Sequence, residues 1–185
     1  MTRLDMVAED TAGADIAPVF ERLRARWGGV LNLYRVLAWA PAMLRAWTAF
    51  AWALRFETGV SRRLRELLIL RSAQIAEIDY EWTHHLPMAI KEGISTNQIT
   101  DLAHWQGSGC FSEQERLILR LADEVTQGPG ASLETMQALK RVFSNSEIVE
   151  LLLTVSAYVG LGRFLRSLDL DVEQDHSRFS PSDGT

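Results

Sequence analysis

An all-α protein is predicted by three observations. Apolar residues recur at helical spacing through most of the chain, serine caps punctuate it, and no alternating strand pattern of useful length or internal repeat occurs. With 185 residues, 47% of them hydrophobic and 23% charged, the chain can bury a substantial core, so one domain over 1–173 is expected.

The first apolar stretch, VLAWAPAMLRAWTAFAWAL from Val36 to Leu54, is almost as long as a membrane span. Pro41 and Arg45 interrupt it near the middle, so it reads as two buried helices, with no membrane association. One ends near Ala40 and the next opens on Pro41, because a proline suits the first helical turn. Trp39, Trp47 and Trp52 are expected to supply packing area, and so much apolar surface points to a subunit interface.

The next segment, Arg62 to Ala76, has almost no polar face and is expected to be buried nearly all round. Glu66 lies inside it. A carboxylate there is either paired, with Arg62 one turn earlier the obvious partner, or carries a proton at a raised pKa. A second helix follows a short break and puts Ile78, Glu81, Trp82, His85 and Ala89 on one face, so Glu81 and His85 can touch. His84 points about 100° away, nearer Tyr80 and Met88, and reads as a structural histidine.

Gly93 suits the end of that helix, and Ser95 with Gln98 has the spacing of a capping box opening a helix to about Trp105. Ser112 with Glu115 repeats the device before a helix over Glu113–Gln127. After the GPGAS loop, Ser132 caps Leu133 to Phe143, and Ser144 or Ser146 caps a last helix to about Leu168. The polar tail 174–185 is expected to be disordered and its His176 solvated.

A net charge of −5 with scattered basic residues argues against nucleic acid. The single cysteine, Cys110, excludes an internal disulfide and is expected to be buried and inert. The opening MTRLDMVAED is too acidic and polar for a secretory signal, so a cytoplasmic location is expected. A metal site from Glu81, His84, His85 and His104 is conceivable, but the adjacent histidines diverge and no metal-binding spacing occurs, so none is expected. Arg71 and Arg163 sit within apolar helices, where a guanidinium would neutralise a buried carboxylate or bind an anion.

The run RELLILRSAQ, a short break, YEWTHH and then EGIS resembles the carboxymuconolactone decarboxylase and alkylhydroperoxidase D-like superfamily over about Ile16 to Glu173. In the redox branch of that superfamily a Glu is followed twelve positions later by Cys-x-x-Cys, with a His four positions after the second Cys. Counted from Glu66, these positions fall on Ile78, Glu81 and His85. Both thiols are therefore replaced, while the Glu and the His are kept, and the chain is more similar to the decarboxylase-type branch.

The resemblance implies a helical bundle assembled as a homo-oligomer (dimer, trimer or hexamer) and a cofactor-free lyase acting on a small organic acid or lactone. Glu66 and His85 would transfer protons, with Glu81 orienting His85, and Tyr80, Trp82, His84 and Arg71 would shape the pocket. Isomerisation, ring opening or hydration could use the same groups, because all pass through enol or enolate species. Two other readings are a peroxide-reducing activity of the alkylhydroperoxidase type, opposed by the missing thiols, and a non-catalytic helical module binding a small apolar ligand, suggested by the six tryptophans.

Overall fold

The computed structural model describes residues 2–173, so the expectations for the 174–185 tail and His176 lie outside the described residues. The described residues contain no strand, and the fold is all-α. In chain order the α-helices are α1 (Ala17–Trp27), α2 (Asn32–Leu37), α3 (Pro41–Phe56), α4 (Arg62–Ala76), α5 (Asp79–Lys91), α6 (Thr96–Asp101), α7 (Glu113–Gln127), α8 (Leu133–Val142) and α9 (Asn145–Leu168). A 3-10 turn over Leu102–Gly107 continues α6 past a kink at His104.

By packing, the described residues divide into two compact units. One takes residues 2–53 with 165–173, and the other takes Leu54–Phe164. Both divisions fall inside helices, α3 and α9, where no Gly, Pro or Ser-rich linker marks a boundary.

The first unit packs Val19, Phe20, Leu23 and Trp27 of α1 with Tyr34 of α2 and Leu44 of α3. α3 opens on Pro41, as its sequence predicts, while the aromatics of the Val36–Leu54 stretch are only partly covered. Trp39 is 61% and Trp52 48% exposed, and only Trp47 of the three packs against the core. The helix is apolar on more sides than its neighbours cover, and its sequence cannot say which side faces in.

The second unit is organised around α4, which packs against both α5 and α7. Leu64 through Ala73 form an unbroken buried run, as an all-round apolar helix requires. Leu67, Leu68 and Leu70 are fully buried, and truncating any one of them to Ala is worth roughly 2–5 kcal/mol. Ser61 caps the helix start by accepting from the Leu64 amide. The end is made by Glu77 in the left-handed region, φ 53°, after which Ile78 N–H donates back to the Ala73 carbonyl at 2.9 Å. This turn reverses the chain into α5 and sets Glu66 opposite His85.

Both capping boxes form as their spacing predicts, at Ser95 with Gln98 and at Ser112 with Glu115. Their third-position side chains also converge on α4: Arg63 donates to Gln98 Oε1 at 2.7 Å and to Glu115 Oε1 at 2.8 Å. Two caps are thereby tied to one guanidinium, which fixes where α6 and α7 begin relative to α4. Ser132 caps α8 and Ser144 accepts from the Glu147 amide at the start of α9. α9 is long and apolar enough to span a membrane by length and composition only; Leu151, Val155 and Val159 place part of it in the core of this unit.

Cys110 corrects the expectation of a buried thiol. It is exposed in the turn before α7, with Sγ 3.6 Å from Asp101 Oδ2, because the polar SGC turn has no apolar face to carry it inward. Arg163 is likewise exposed on α9, whereas Arg71 is buried and donates to Asp123 Oδ1 at 2.6 Å and to Gln74 Oε1 at 2.7 Å. Of the two roles open to an arginine in an apolar helix, Arg71 takes the neutralising one.

Candidate active site

Glu66, Glu81 and His85 meet inside the second unit and are 0%, 5% and 1% exposed. Glu66 lies mid-way along α4. Its Oε1 accepts from Arg62 Nε at 2.5 Å, one turn back, and its Oε2 faces His85 Nδ1 at 2.7 Å. An ionised carboxylate can only accept, so the Nδ1 proton is on the imidazole and donates to Glu66. Burial by itself would raise the Glu66 carboxyl; His85 and Arg62 outweigh it and hold the carboxyl down at about 2.

The other imidazole nitrogen, Nε2, faces Glu81 Oε2 at 3.4 Å, one turn back on α5. Glu81 is less well served than Glu66. Its Oε1 is buried and has no hydrogen-bond partner among the described residues. Burial pushes the Glu81 carboxyl up, and the partial compensation from His85, Arg55 and His84 does not reverse this. Glu81 Oε2 can accept from an Nε2–H, whether the carboxyl is ionised or carries its proton on Oε1, and can donate into a bare Nε2, so a proton can pass along this contact in either direction.

Tyr158 of α9 closes the cluster. Its ring meets the His85 imidazole edge-on, with centroids 5.0 Å apart at 89°. Burial pushes the Tyr158 phenol up to about 12, while a hydrogen bond with Arg55 at the end of α3 pulls the other way. Beside Glu81 and Tyr158 is a narrow cavity of about 10 Å³, close to the size of one water, whose other walls are Ile69, Ser72, Ala73, Ala76, Ile78 and Val159. The lining is apolar apart from Ser72, Glu81 and Tyr158. Gly162 lets α9 approach closely, since a Cβ there would lie 3.0 Å from Ile78 Cγ1.

The structure thus brings together Glu66, Glu81 and His85, with Glu81 and not His85 on the cavity. Tyr80, Trp82, His84 and Arg71 do not line that cavity. Tyr80 stacks on His84 at 4.3 Å, and His84 Nδ1 donates to the Tyr80 carbonyl at 2.7 Å. Trp82 packs against the hydrophobic core. Among the described residues no group of three or more His, Cys, Asp or Glu side chains is arranged to hold a metal ion.

Sequence reasoning did not single out Tyr158, Arg55 or Ser72. The first two come from other helices, and no local spacing ties them to Glu66. Ser72 was visible only as one polar residue in an apolar run, where its hydroxyl donates to the Leu68 carbonyl at 2.9 Å.

Residues 41–124 match the carboxymuconolactone decarboxylase family. A comparison with curated proteins returns no match. Solved structures share the fold over nearly the whole chain. An uncharacterized peroxidase-related protein from Silicibacter sp. TM1040 is 18% identical with a TM-score of 0.82, covering 97% of this chain and 96% of its own. An uncharacterized peroxidase-related protein with an alkylhydroperoxidase AhpD core, from Ralstonia eutropha JMP134, is 17% identical with a TM-score of 0.74, covering 98% of each chain. A variant of the debrominase Bmp8 in complex with 2,3,4-tribromopyrrole is 18% identical with a TM-score of 0.78, covering 96% of this chain and 95% of its own.

Proposed function

We propose, from a chain that has the alkylhydroperoxidase D-like fold and the carboxymuconolactone decarboxylase pattern over residues 41–124, that the protein is a cofactor-independent acid–base enzyme. Its substrate is a small organic acid or lactone that reacts through an enolate-like anion. The observation that carries this reading is the Arg62, Glu66, His85 chain, held at 2.5 and 2.7 Å with Glu66 and His85 almost wholly buried. A buried imidazole fixed by an ionised carboxylate is a group arranged to hold and return a proton.

In decarboxylation the bond to the departing carboxylate breaks and its electron pair moves into the conjugated carbonyl as an enolate. Carbon dioxide leaves, and a proton from the His85 cluster then quenches the carbon. Arg55 brings positive charge towards Tyr158 and Glu81 on the cavity wall, which favours an anionic substrate and the developing oxyanion. Isomerisation or ring opening of a related lactone would draw on the same proton and the same charge.

The peroxide-reducing alternative needs two thiols in reach of each other, and the chain has one cysteine, exposed near Asp101. Peroxide consumption with a dithiol reductant checks it directly, and none is expected. A binding module would give ligand-induced tryptophan fluorescence changes without turnover.

The test follows solvent deuterium into the α-carbons of levulinate and of small lactone acids, together with carbon dioxide release from acetoacetate. Glu66→Gln and His85→Asn are expected to lower these rates by about 10²–10⁴-fold. Unchanged rates in both variants, with folding verified by circular dichroism, would remove the assignment.

A further inference from the structure

We infer that Glu81, on the wall of the cavity that Tyr158 also lines, is the catalytic group that meets the substrate: its unpartnered Oε1 is the acid–base atom, and His85 stands behind it as the relay to Glu66. The inference rests on the acid–base reading of this site and sharpens it.

Three geometric facts carry it. His85 has both ring nitrogens facing carboxyl groups, Nδ1 to Glu66 at 2.7 Å and Nε2 to Glu81 at 3.4 Å, so it has no nitrogen left for a substrate. Glu81, 5% exposed, is the cluster's carboxyl on the cavity wall, since neither Glu66 nor His85 lines it. Its Oε1 is buried without a hydrogen-bond partner among the described residues, so its desolvation is uncompensated unless a ligand or water supplies one. An orphaned acid oxygen beside a cavity is what a substrate hydrogen bond would complete.

The chemistry follows from the two oxygens of one carboxyl group. When Oε1 gives its proton to the enolate carbon or oxygen, Oε2 takes the Nε2 proton of the His85 imidazolium, and Glu66 stays ionised throughout. The net step forms one bond from substrate to hydrogen and leaves the imidazole neutral, to be recharged from solvent through Glu81 once product leaves. In the opposite direction Oε1 accepts the substrate proton while Oε2 delivers its own to Nε2. The elevated proton affinity of the buried Glu81 carboxyl suits the acid form to this role.

The cavity also limits the substrate. About 10 Å³ admits one oxygen-sized group and no ring or carboxylate. The part that reaches Glu81 is therefore a carbonyl or enol oxygen, or the carbon next to it. The walls Ile69, Ala73, Ile78 and Val159 favour an uncharged group there, and Ala76 and Tyr158, both half-buried, mark the side on which the rest of the molecule lies.

The experiment is infrared spectroscopy of the full chain at neutral pH, wild type against Glu81→Gln, with and without levulinate and acetoacetate. A carboxylic-acid C=O band that disappears in Glu81→Gln, and shifts when a keto acid is added, is the expected result. Absence of that band, or a band that no keto acid moves, overturns the inference. Deuterium exchange into levulinate separates its failure from that of the acid–base reading. Exchange lost in Glu66→Gln but kept in Glu81→Gln removes Glu81 alone. A band that shifts, with exchange untouched in Glu66→Gln, removes the acid–base reading and leaves Glu81 as a binding group. The neutral Gln is nearly isosteric with the acid form, and Glu81→Asp, which keeps the acid but withdraws it by one methylene, gives the second variant. A drop of about 10²-fold or more is expected for Gln and a smaller drop for Asp.

Discussion

The two sides of His85 carry the same residue type and opposite electrostatics. Glu66 and Glu81 are both almost fully buried and both touch the imidazole, so desolvation opposes the charge of each. Glu66 overcomes it with Arg62 on one oxygen and Nδ1–H on the other; Glu81 has a longer contact on one oxygen and nothing on the second. The difference shows that burial alone does not decide the protonation of a carboxyl; the number of donors aimed at its oxygens does.

The largest expected effect comes from removing the well-served side. Glu66→Leu strands the buried His85 and the partly buried Arg62 and should destabilise the fold by about 3–5 kcal/mol, read from urea midpoints at neutral pH. Glu66→Gln keeps the shape and should lose less.

The comparison also sets opposite pH slopes. Above its ordinary value of 4.5 Glu66 is charged in both folded and unfolded chains. As pH falls from about 4.5 to about 2, the unfolded chain binds a proton that the folded one refuses, so on the order of 3 kcal/mol of stability is lost in that window. Glu81 has the reverse sign. Its raised carboxyl keeps a proton that the unfolded chain has released, so stability declines as pH rises above 4.5. Urea titrations across pH should find the acid loss reduced in Glu66→Gln and the decline at higher pH reduced in Glu81→Gln; a matching pH dependence in the two variants would contradict the asymmetry.

Arg62→Met sharpens the contrast by leaving Glu66 with a single donor, much as Glu81 is left. The acid-induced loss should begin at higher pH, with about 1.5–3 kcal/mol less stability at neutrality, measured by the same titrations. A smaller effect, about 1 kcal/mol, is expected for Tyr158→Phe, which keeps the edge-on ring against His85 and removes the hydroxyl bonded to Arg55. Gly162→Ala should be smallest: the added Cβ presses on Ile78, while alanine suits the helix better by about 1 kcal/mol, so thermal midpoints should shift by only a few degrees.

The members of this cluster were legible in the sequence, the asymmetry between the two carboxyls was not, and the limit has a physical form. Helical spacing placed Glu81 and His85 in contact, and an apolar helix around Glu66 signalled a carboxylate in need of a partner. The capping boxes at Ser95 and Ser112 were readable because their chemistry is local. What could not be read was anything that depends on a distant helix. Tyr158 arrives from α9, the cavity exists where three helices leave a gap, and Arg55 at the end of α3 looks like any cation at a helix C-terminus. For the same reason the exposure of Trp39, Trp52 and Cys110 was misjudged, since whether a side chain is covered is decided by what lies opposite it.

Because both nitrogens of His85 face carboxyl oxygens inside the fold, the imidazole is not on offer to electrophiles or soft metal ions. An acylating reagent added to the folded protein should mark exposed His104 and pass over His85, although His85 is the most chemically involved histidine among the described residues. A label-based search for reactive residues would therefore miss this site, and protection of His85 from the reagent, lost on unfolding, becomes a direct reporter of whether the carboxyl clamp is closed.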